Sequence, residues 1–317
     1  MSLAHLPTPL ERAGRLGEHL GIDDLWVKRD DLTGLALGGN KARKLELLLA
    51  DALAQGADTL VTGGGPQSNH ARITAAAAAT AGLGCHLALA GPRPAHTDGN
   101  LLLDHLLGAT LHFDGAIDYY DIERDIEQVA ERLAAAGRRP YAIPVGGASV
   151  IGAAAYALAV DEVATQLATL DAAPFDWIVV ADGSGGTQAG LLAGLGTTRT
   201  RVLGVDVGTR PDLDTAVPAL AHATADHLGR PTDLGPTIVD HDHVGRAYGW
   251  ATEGAVDARR AAARTEGLIL DPVYSAKAMH ALTTHAREGS VTGRVLFWHT
   301  GGAPAMFAQE FERPLTR

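Results

Sequence analysis

The strongest constraint on this chain is its alternation of short β-branched runs with longer stretches rich in alanine and leucine. Residues 25–28, 59–62, 86–90, 110–113, 141–144, 177–181, 202–207 and 294–298 have the length and composition of strands. Between them, residues 41–55, 68–81, 121–136, 152–170 and 254–265 carry helical spacing. This order predicts an α/β fold: open, twisted, mainly parallel sheets flanked by helices. No repeat of constant period and no low-complexity linker interrupts it. Residues 91–94 and 211–236 read as surface excursions, the second wrapped around one helix.

At 317 residues the chain is long enough to bury a sizeable core. Its 26 Lys and Arg against 37 Asp and Glu give a formal charge of −11, which argues against nucleic acid and anionic membrane surfaces as partners. Cys85 is the only cysteine, so an internal disulfide is impossible and cysteine-rich zinc sites are excluded. Among the 14 histidines only His241 and His243 have a close pairing, and no metal is expected. The opening residues lack a signal-peptide pattern, and no uncharged apolar run reaches the roughly 18 to 20 residues of a membrane span. A cytoplasmic location is the expectation.

Four glycine-rich turns punctuate the pattern: Gly38-Gly39-Asn40-Lys41, Gly63-Gly64-Gly65-Pro66, Gly183-Ser184-Gly185-Gly186 and His299-Thr300-Gly301-Gly302. The last three each follow a predicted strand, where ligands bind in open α/β sheets. Lys41 opens a helix whose apolar stripe runs through Leu45, Leu48, Leu49 and Ala52, while Arg43, Lys44, Glu46 and Asp51 fall mainly on other faces. A partly desolvated amine at a helix N-terminus is biased toward its neutral form, as an imine-forming lysine requires. A snorkelling lysine satisfies the same spacing.

Residues 183–190 join a strand to a small-residue helix, and their glycines let backbone N–H groups turn toward an anion. Ser184 and Thr187 add hydroxyls. No Gly-Lys-Ser/Thr follows, so this is not a nucleotide P-loop. Gly183-x-Gly185 with Asp206 half-matches a dinucleotide fingerprint, which keeps a nicotinamide oxidoreductase as a rival. Ser68 is a natural helix N-cap, and Asn69 beside it suits a carboxylate or phenolate oxygen. His70 is a candidate base or a structural histidine. Tyr248 and Tyr274 lie in turn-like contexts, where packed aromatics are also found. No Gly-x-Ser-x-Gly elbow is present.

In order along the chain, Leu6-Pro-Thr-Pro-Leu10, Lys28-Arg-Asp-Asp31, Gly38-Gly-Asn-Lys-Ala-Arg-Lys-Leu-Glu46, Gln67-Ser-Asn-His-Ala-Arg72, residues 183–190, Asp271-Pro-Val-Tyr274 and His299-Thr-Gly-Gly-Ala-Pro304 resemble one family. It is the D-cysteine desulfhydrase and 1-aminocyclopropane-1-carboxylate (ACC) deaminase family, which also holds L-cysteate sulfo-lyase. The resemblance implies a fold-type II pyridoxal-5′-phosphate (PLP) enzyme, tryptophan synthase β-like and homodimeric. It implies a large cofactor-binding unit of residues 1–49 and 159–317, a smaller α/β unit of residues 50–158, and an active site in the cleft between them. Lys41 would hold PLP as a Schiff base, with Gly183, Ser184, Gly185, Gly186 and Thr187 around its phosphate. Asn69 would lie near its phenolic oxygen, and Ser275 and Thr300 near its ring nitrogen. Ser68, Asn69, His70, Tyr248 and Tyr274 would meet a small amino-acid substrate, with Lys41, Ser68 and the two tyrosines in the chemistry.

Ser275, His70 and Thr300 fit the desulfhydrase branch, where ACC deaminases resemble one another in having Glu, Gln and Leu. A hydroxyl beside the pyridine nitrogen leaves the ring a milder electron sink than a carboxylate does. The expected reaction is α,β-elimination from an amino acid with a β-sulfur leaving group, such as D-cysteine. Sulfo-lyase and ACC deaminase activities are the alternatives on the same scaffold. Trp250 stands where the family has a different pattern, and Asp182 replaces a small polar residue before the phosphate loop.

Overall fold

A computed structural model describes residues 2–113 and 121–308. Ten strands are assigned there: β1 (Leu10–Arg12), β2 (Asp24–Arg29), β3 (Thr59–Gly64), β4 (Gly84–Leu89), β5 (Thr110–His112), β6 (Pro140–Ala142), β7 (Trp177–Asp182), β8 (Arg201–Asp206), β9 (Ile238–Asp240) and β10 (Arg294–His299). They form two sheets, in the orders β1-β2-β10-β7-β8-β9 and β5-β4-β3-β6. Only the β1–β2 pair is antiparallel; every other pairing is parallel. All eight expected strands are present. β1 and β9 were not anticipated.

The helices are α1 (Gly14–Leu20), α2 (Lys41–Ala54), α3 (Asn69–Ala81), α4 (Gly99–Leu106), α5 (Ile122–Ala135), α6 (Val150–Thr169), α7 (Gly186–Leu195), α8 (Leu213–His227), α9 (Glu253–Glu266) and α10 (Ser275–Glu288). Ser68, Ser149 and Thr252 each accept the backbone N–H three residues on and so cap α3, α6 and α9. One face of the six-stranded sheet packs on apolar residues of α1, α9 and α10, the other on α6, α7 and α8. The four-stranded sheet is covered by α2, α3 and α4 on one face and by α5 on the other.

The stretch Val145–Thr169 is long and apolar enough to cross a membrane by length and mean hydropathy, 1.3. Half of that window is buried, and α6 packs against α2, α7 and α8. Its apolar surface therefore has partners inside the protein.

Helix α2 departs from the expected pattern. Leu45, Leu48 and Leu49 enter the core of the four-stranded sheet as expected, but Arg43 and Lys44, placed on other faces, are also buried. The reason is a second wall. On that side Asp30, wholly buried, accepts hydrogen bonds from Arg43 Nε at 3.0 Å, Thr8 Oγ1 at 3.0 Å, Tyr156 Oη at 2.6 Å and Trp298 Nε1 at 2.8 Å. Arg43 also binds Glu162 of α6. A charge pattern that reads as an outward face is here satisfied internally. The unit boundaries expected at 49/50 and 158/159 fall inside α2 and α6.

Candidate active site

Strand ends bring the candidate residues together. The turns after β3, β6, β7, β8 and β10 open at one edge of the two sheets, and a cavity there is lined by Lys41, Ser68, Asn69, His70, Gly146, Asp182, Gly183, Ser184, Thr209, Tyr274 and Thr300, among others. This is the crevice beyond the strands' carboxyl ends where parallel sheets bind ligands.

Lys41 sits at its centre. The Lys41 Nζ donates to the Gly146 carbonyl at 3.3 Å, and Lys44 Nζ donates to the same oxygen at 3.1 Å. Burial lowers Lys41 to about 8, with Asp182 and Lys44 opposing the shift. Burial, and then the charge of Lys41, push Lys44 well below the usual lysine range. Two buried amines on one carbonyl oxygen disfavour double protonation. Lys41 therefore gives up its proton near pH 8, and becomes a neutral nucleophilic amine well below the usual lysine range.

The cup lies beside this amine. Gly185, in the left-handed conformation at φ 84°, turns the chain into α7, and the helix N-terminus points into the cavity. A Cβ at Gly186 would sit 2.8 Å from Lys44 Nζ, so glycine there is what lets the amine approach the cup. Thr187 Oγ1 is held by Asn40 Nδ2 at 3.2 Å. Thr209 Oγ1 lines the cavity and is buried without a partner among the described residues. A lysine, a helix N-terminus and hydroxyl groups fit a phosphate. One expected contact differs: the Gly185 N–H, offered to a phosphate by the sequence reading, is taken by Asp182 Oδ1 at 2.9 Å.

Across the cavity, Ser68 caps α3 through its Oγ and keeps its hydroxyl proton for another acceptor. Asn69 Oδ1 accepts from Asn100 Nδ2 at 3.1 Å and from Arg72 at 3.4 Å, which turns Nδ2 toward the remaining space as a donor. Arg72 is wholly buried and also binds the carbonyls of Ala36 and Gly38, tying α3 to the loop before Lys41.

His70 is explained by its neighbours. Thr62 Oγ1 gives its proton to the Ile143 carbonyl at 2.8 Å, so it accepts from His70 Nε2 at 3.0 Å. That assigns the Nε2–H tautomer and leaves Nδ1, buried and without a partner among the described residues, as an acceptor. Burial and the two lysines hold His70 well below the usual histidine range. It is a neutral acceptor and not a proton store.

The tyrosines meet: Tyr248 Oη and Tyr274 Oη are 2.6 Å apart, and Tyr274 lines the cavity. Asp271 fixes the turn before α10, with Oδ2 accepting from the Val273 and Tyr274 N–H groups. Ser275 belongs to that turn. Its Oγ donates to Asp271 Oδ1 at 2.6 Å and accepts from Asp271 N at 2.8 Å, so its hydroxyl is committed away from the cavity. Of the two hydroxyls expected near a pyridine nitrogen, Thr300 is the one on the cavity wall. Sequence reasoning missed Asn40, Lys44 and Thr209 as site residues. Thr209 had a signal in its position just past a strand end, and Asn40 in the glycine turn before Lys41.

A model of the pyridoxal-phosphate dependent enzyme family matches residues 1–301. The chain belongs to that family. Its members use PLP, and Lys41, the cup and Thr300 are the residues here that fit it. The nicotinamide reading of Gly183 and Asp206 is set aside; the Asp206 carboxylate caps Gly208 N and binds His241. Among relatives, a D-cysteine desulfhydrase of Serratia proteamaculans is 42% identical over 97% of this chain and 95% of its own length. A putative ACC deaminase of Pyrococcus horikoshii is 41% identical over 95% of this chain and 90% of its own. A crystal structure of an ACC deaminase homologue superposes with a TM-score of 0.89 at 40% identity, covering 96% of this chain and 92% of that one. Threonine deaminase isoform 2 of Solanum lycopersicum, at 15% identity and TM-score 0.64 over 94% and 80%, shares the fold. This pyridoxal-phosphate dependent enzyme therefore has the two-sheet, fold-type II architecture.

Proposed function

We propose that the protein eliminates the β-substituent of a small amino acid, with D-cysteine as substrate and pyruvate, sulfide and ammonia as products. The observation that carries the reading is the lowered Lys41 amine, held between the phosphate cup and the Ser68–Asn69 helix start. The desulfhydrase named among the relatives supports the substrate. Bound PLP supplies an electron sink that acidifies the α-carbon of an amino acid joined to it. The Lys41 amine, released from the cofactor, takes the α-proton. Ser68 and Asn69 hold the substrate carboxylate, and Tyr274, hydrogen-bonded to Tyr248, protonates the departing sulfur. Thr300, a hydroxyl in place of a carboxylate, favours prompt β-elimination over long-lived carbanion chemistry.

ACC deaminase and L-cysteate sulfo-lyase activities are separated by one panel. Incubation with D-cysteine, L-cysteate and ACC, followed by assay of pyruvate, sulfide, sulfite and 2-oxobutyrate, is expected to give sulfide and pyruvate from D-cysteine. Sulfite or 2-oxobutyrate as the dominant product would reassign the substrate. Lys41→Ala is expected to abolish turnover and the visible absorbance of the bound cofactor. The reading includes a homodimer, supported by Leu106 and Phe307, 72% and 75% exposed on neighbouring elements, and a cytoplasmic site of action. Sedimentation velocity tests the dimer. The two sheets with their helices are taken as the large and small units, with the site in the cleft between them.

A further inference from the structure

Asp182 is the member of the cup that conflicts with a phosphate. It ends β7, is 1% exposed and lines the cavity. Its Oδ1 accepts the Gly185 N–H at 2.9 Å, so the protein's own anion already satisfies a donor that such a turn offers to a ligand anion. Its Oδ2 is buried and has no partner among the described residues. An ionised carboxylate and a phosphate dianion in one poorly solvated turn repel each other. A protonated carboxyl instead donates a hydrogen bond to a phosphate oxygen.

We propose that Asp182 takes up one proton from solvent as the cofactor's phosphate enters the cup, so that cofactor loading is linked to pH through this residue. The proposal rests on the reading of the cup as the phosphate site. One O–H bond forms on the Asp182 carboxylate with a proton from solvent, no other covalent bond changes, and the carboxyl becomes a donor to the phosphate. Facing it are Lys41 and Lys44 from α2, Asp206 from β8 and Arg210 from the loop after β8, while neutral His70 from α3 lines the same cavity. Burial raises Asp182 and Asp206 adds to the shift, while the Gly185 N–H, Lys44 and Lys41 oppose it, and the carboxyl is pushed up to about 6.

The sign follows. Below about 6 the group already carries its proton and nothing is taken up. Above it, binding consumes a proton and affinity falls as pH rises. Lys41 acts oppositely, because its amine must lose a proton before it can bond to the cofactor. Comparing Asp182→Asn with wild type at each pH reduces the Lys41 contribution, and the part left by the lost Asp182 charge shrinks as pH rises, opposite to the Asp182 effect.

The test is titration of full-length wild type and Asp182→Asn, each freed of cofactor, with PLP between about pH 6 and about pH 8. The variant is expected to bind more tightly, with the ratio of Kd values growing about tenfold per pH unit, the slope of one proton. In the holoenzymes, where Asp182 keeps its proton through that range, the phosphorus-31 resonance of the cofactor should move only above about pH 8 in wild type and stay fixed in the variant. Should Asp182→Asn fail to fold, Asp182→Ser, which also lacks a titrating carboxyl, gives the same comparison. Parallel Kd profiles together with coincident phosphorus titrations would overturn the role of Asp182. Failure of every protein to bind PLP would overturn the cup itself.

Discussion

Asp104 on α4 is wholly buried, and neither of its carboxylate oxygens has a hydrogen-bond partner among the described residues. Burial pushes it up to about 8, against the pull of Arg72. The unfolded chain releases this proton near pH 4, so between about 4 and about 8 the folded state binds more protons than the unfolded state. Stability from this group is therefore present at low pH and lost as pH rises through that window. Asp104→Asn is expected to stabilise the protein by about 1 to 3 kcal/mol at pH 8 and by little at pH 4, read from urea unfolding. An equal gain at both pH values would refute the assignment. Single residues were unevenly legible in the sequence. Lys41 could be found because a glycine turn and an apolar stripe both pointed to it. Lys44 could not, since a buried amine and a solvated one look alike until the opposing wall of α6 is known. Ser275 was placed near the cofactor by its neighbourhood, but the carboxylate of Asp271 captures its hydroxyl.

At the scale of elements, α10 does two things at once. The Asp271 turn that leads into it sets Tyr274, and in its first turn Lys277 reaches back under the loops after β8 and β9. Lys277 Nζ donates to the carbonyls of Val244 at 2.7 Å, Val207 at 3.3 Å and Ala247 at 3.3 Å. The segment it clamps leads directly into Tyr248, whose hydroxyl meets Tyr274. Lys277→Met removes the amine that donates to these three carbonyls and frees that segment. A fall in kcat of about tenfold or more is expected, with the bound cofactor's visible absorbance retained, because the phosphate cup lies on another helix. Unchanged kcat would show that the tyrosine loop holds itself. The central strands and long helices were readable because six or more residues display a period. Helix α10 was not, since its N-terminal turn reads as loop.

For the molecule as a whole, the site is assembled from turns of both sheets, so a ligand held there adds its binding energy to the contact between them. Removal of PLP is expected to lower Tm by about 3 to 8 °C relative to holoenzyme at saturating cofactor, measured by calorimetry. A coincident Tm for the two forms would mean that the folded protein does not bind PLP in preference to the unfolded chain. The sheets themselves share a further property. Each ends on both sides in a strand of three residues, β1 and β9 in one and β5 and β6 in the other, while the interior strands all have six. A row of unpaired backbone donors and acceptors is a template on which another chain can add itself. Three residues make that row too short to template much. Two mainly parallel sheets, with apolar strands that would aggregate if laid bare at a rim, thus present the surroundings with almost no rim to join.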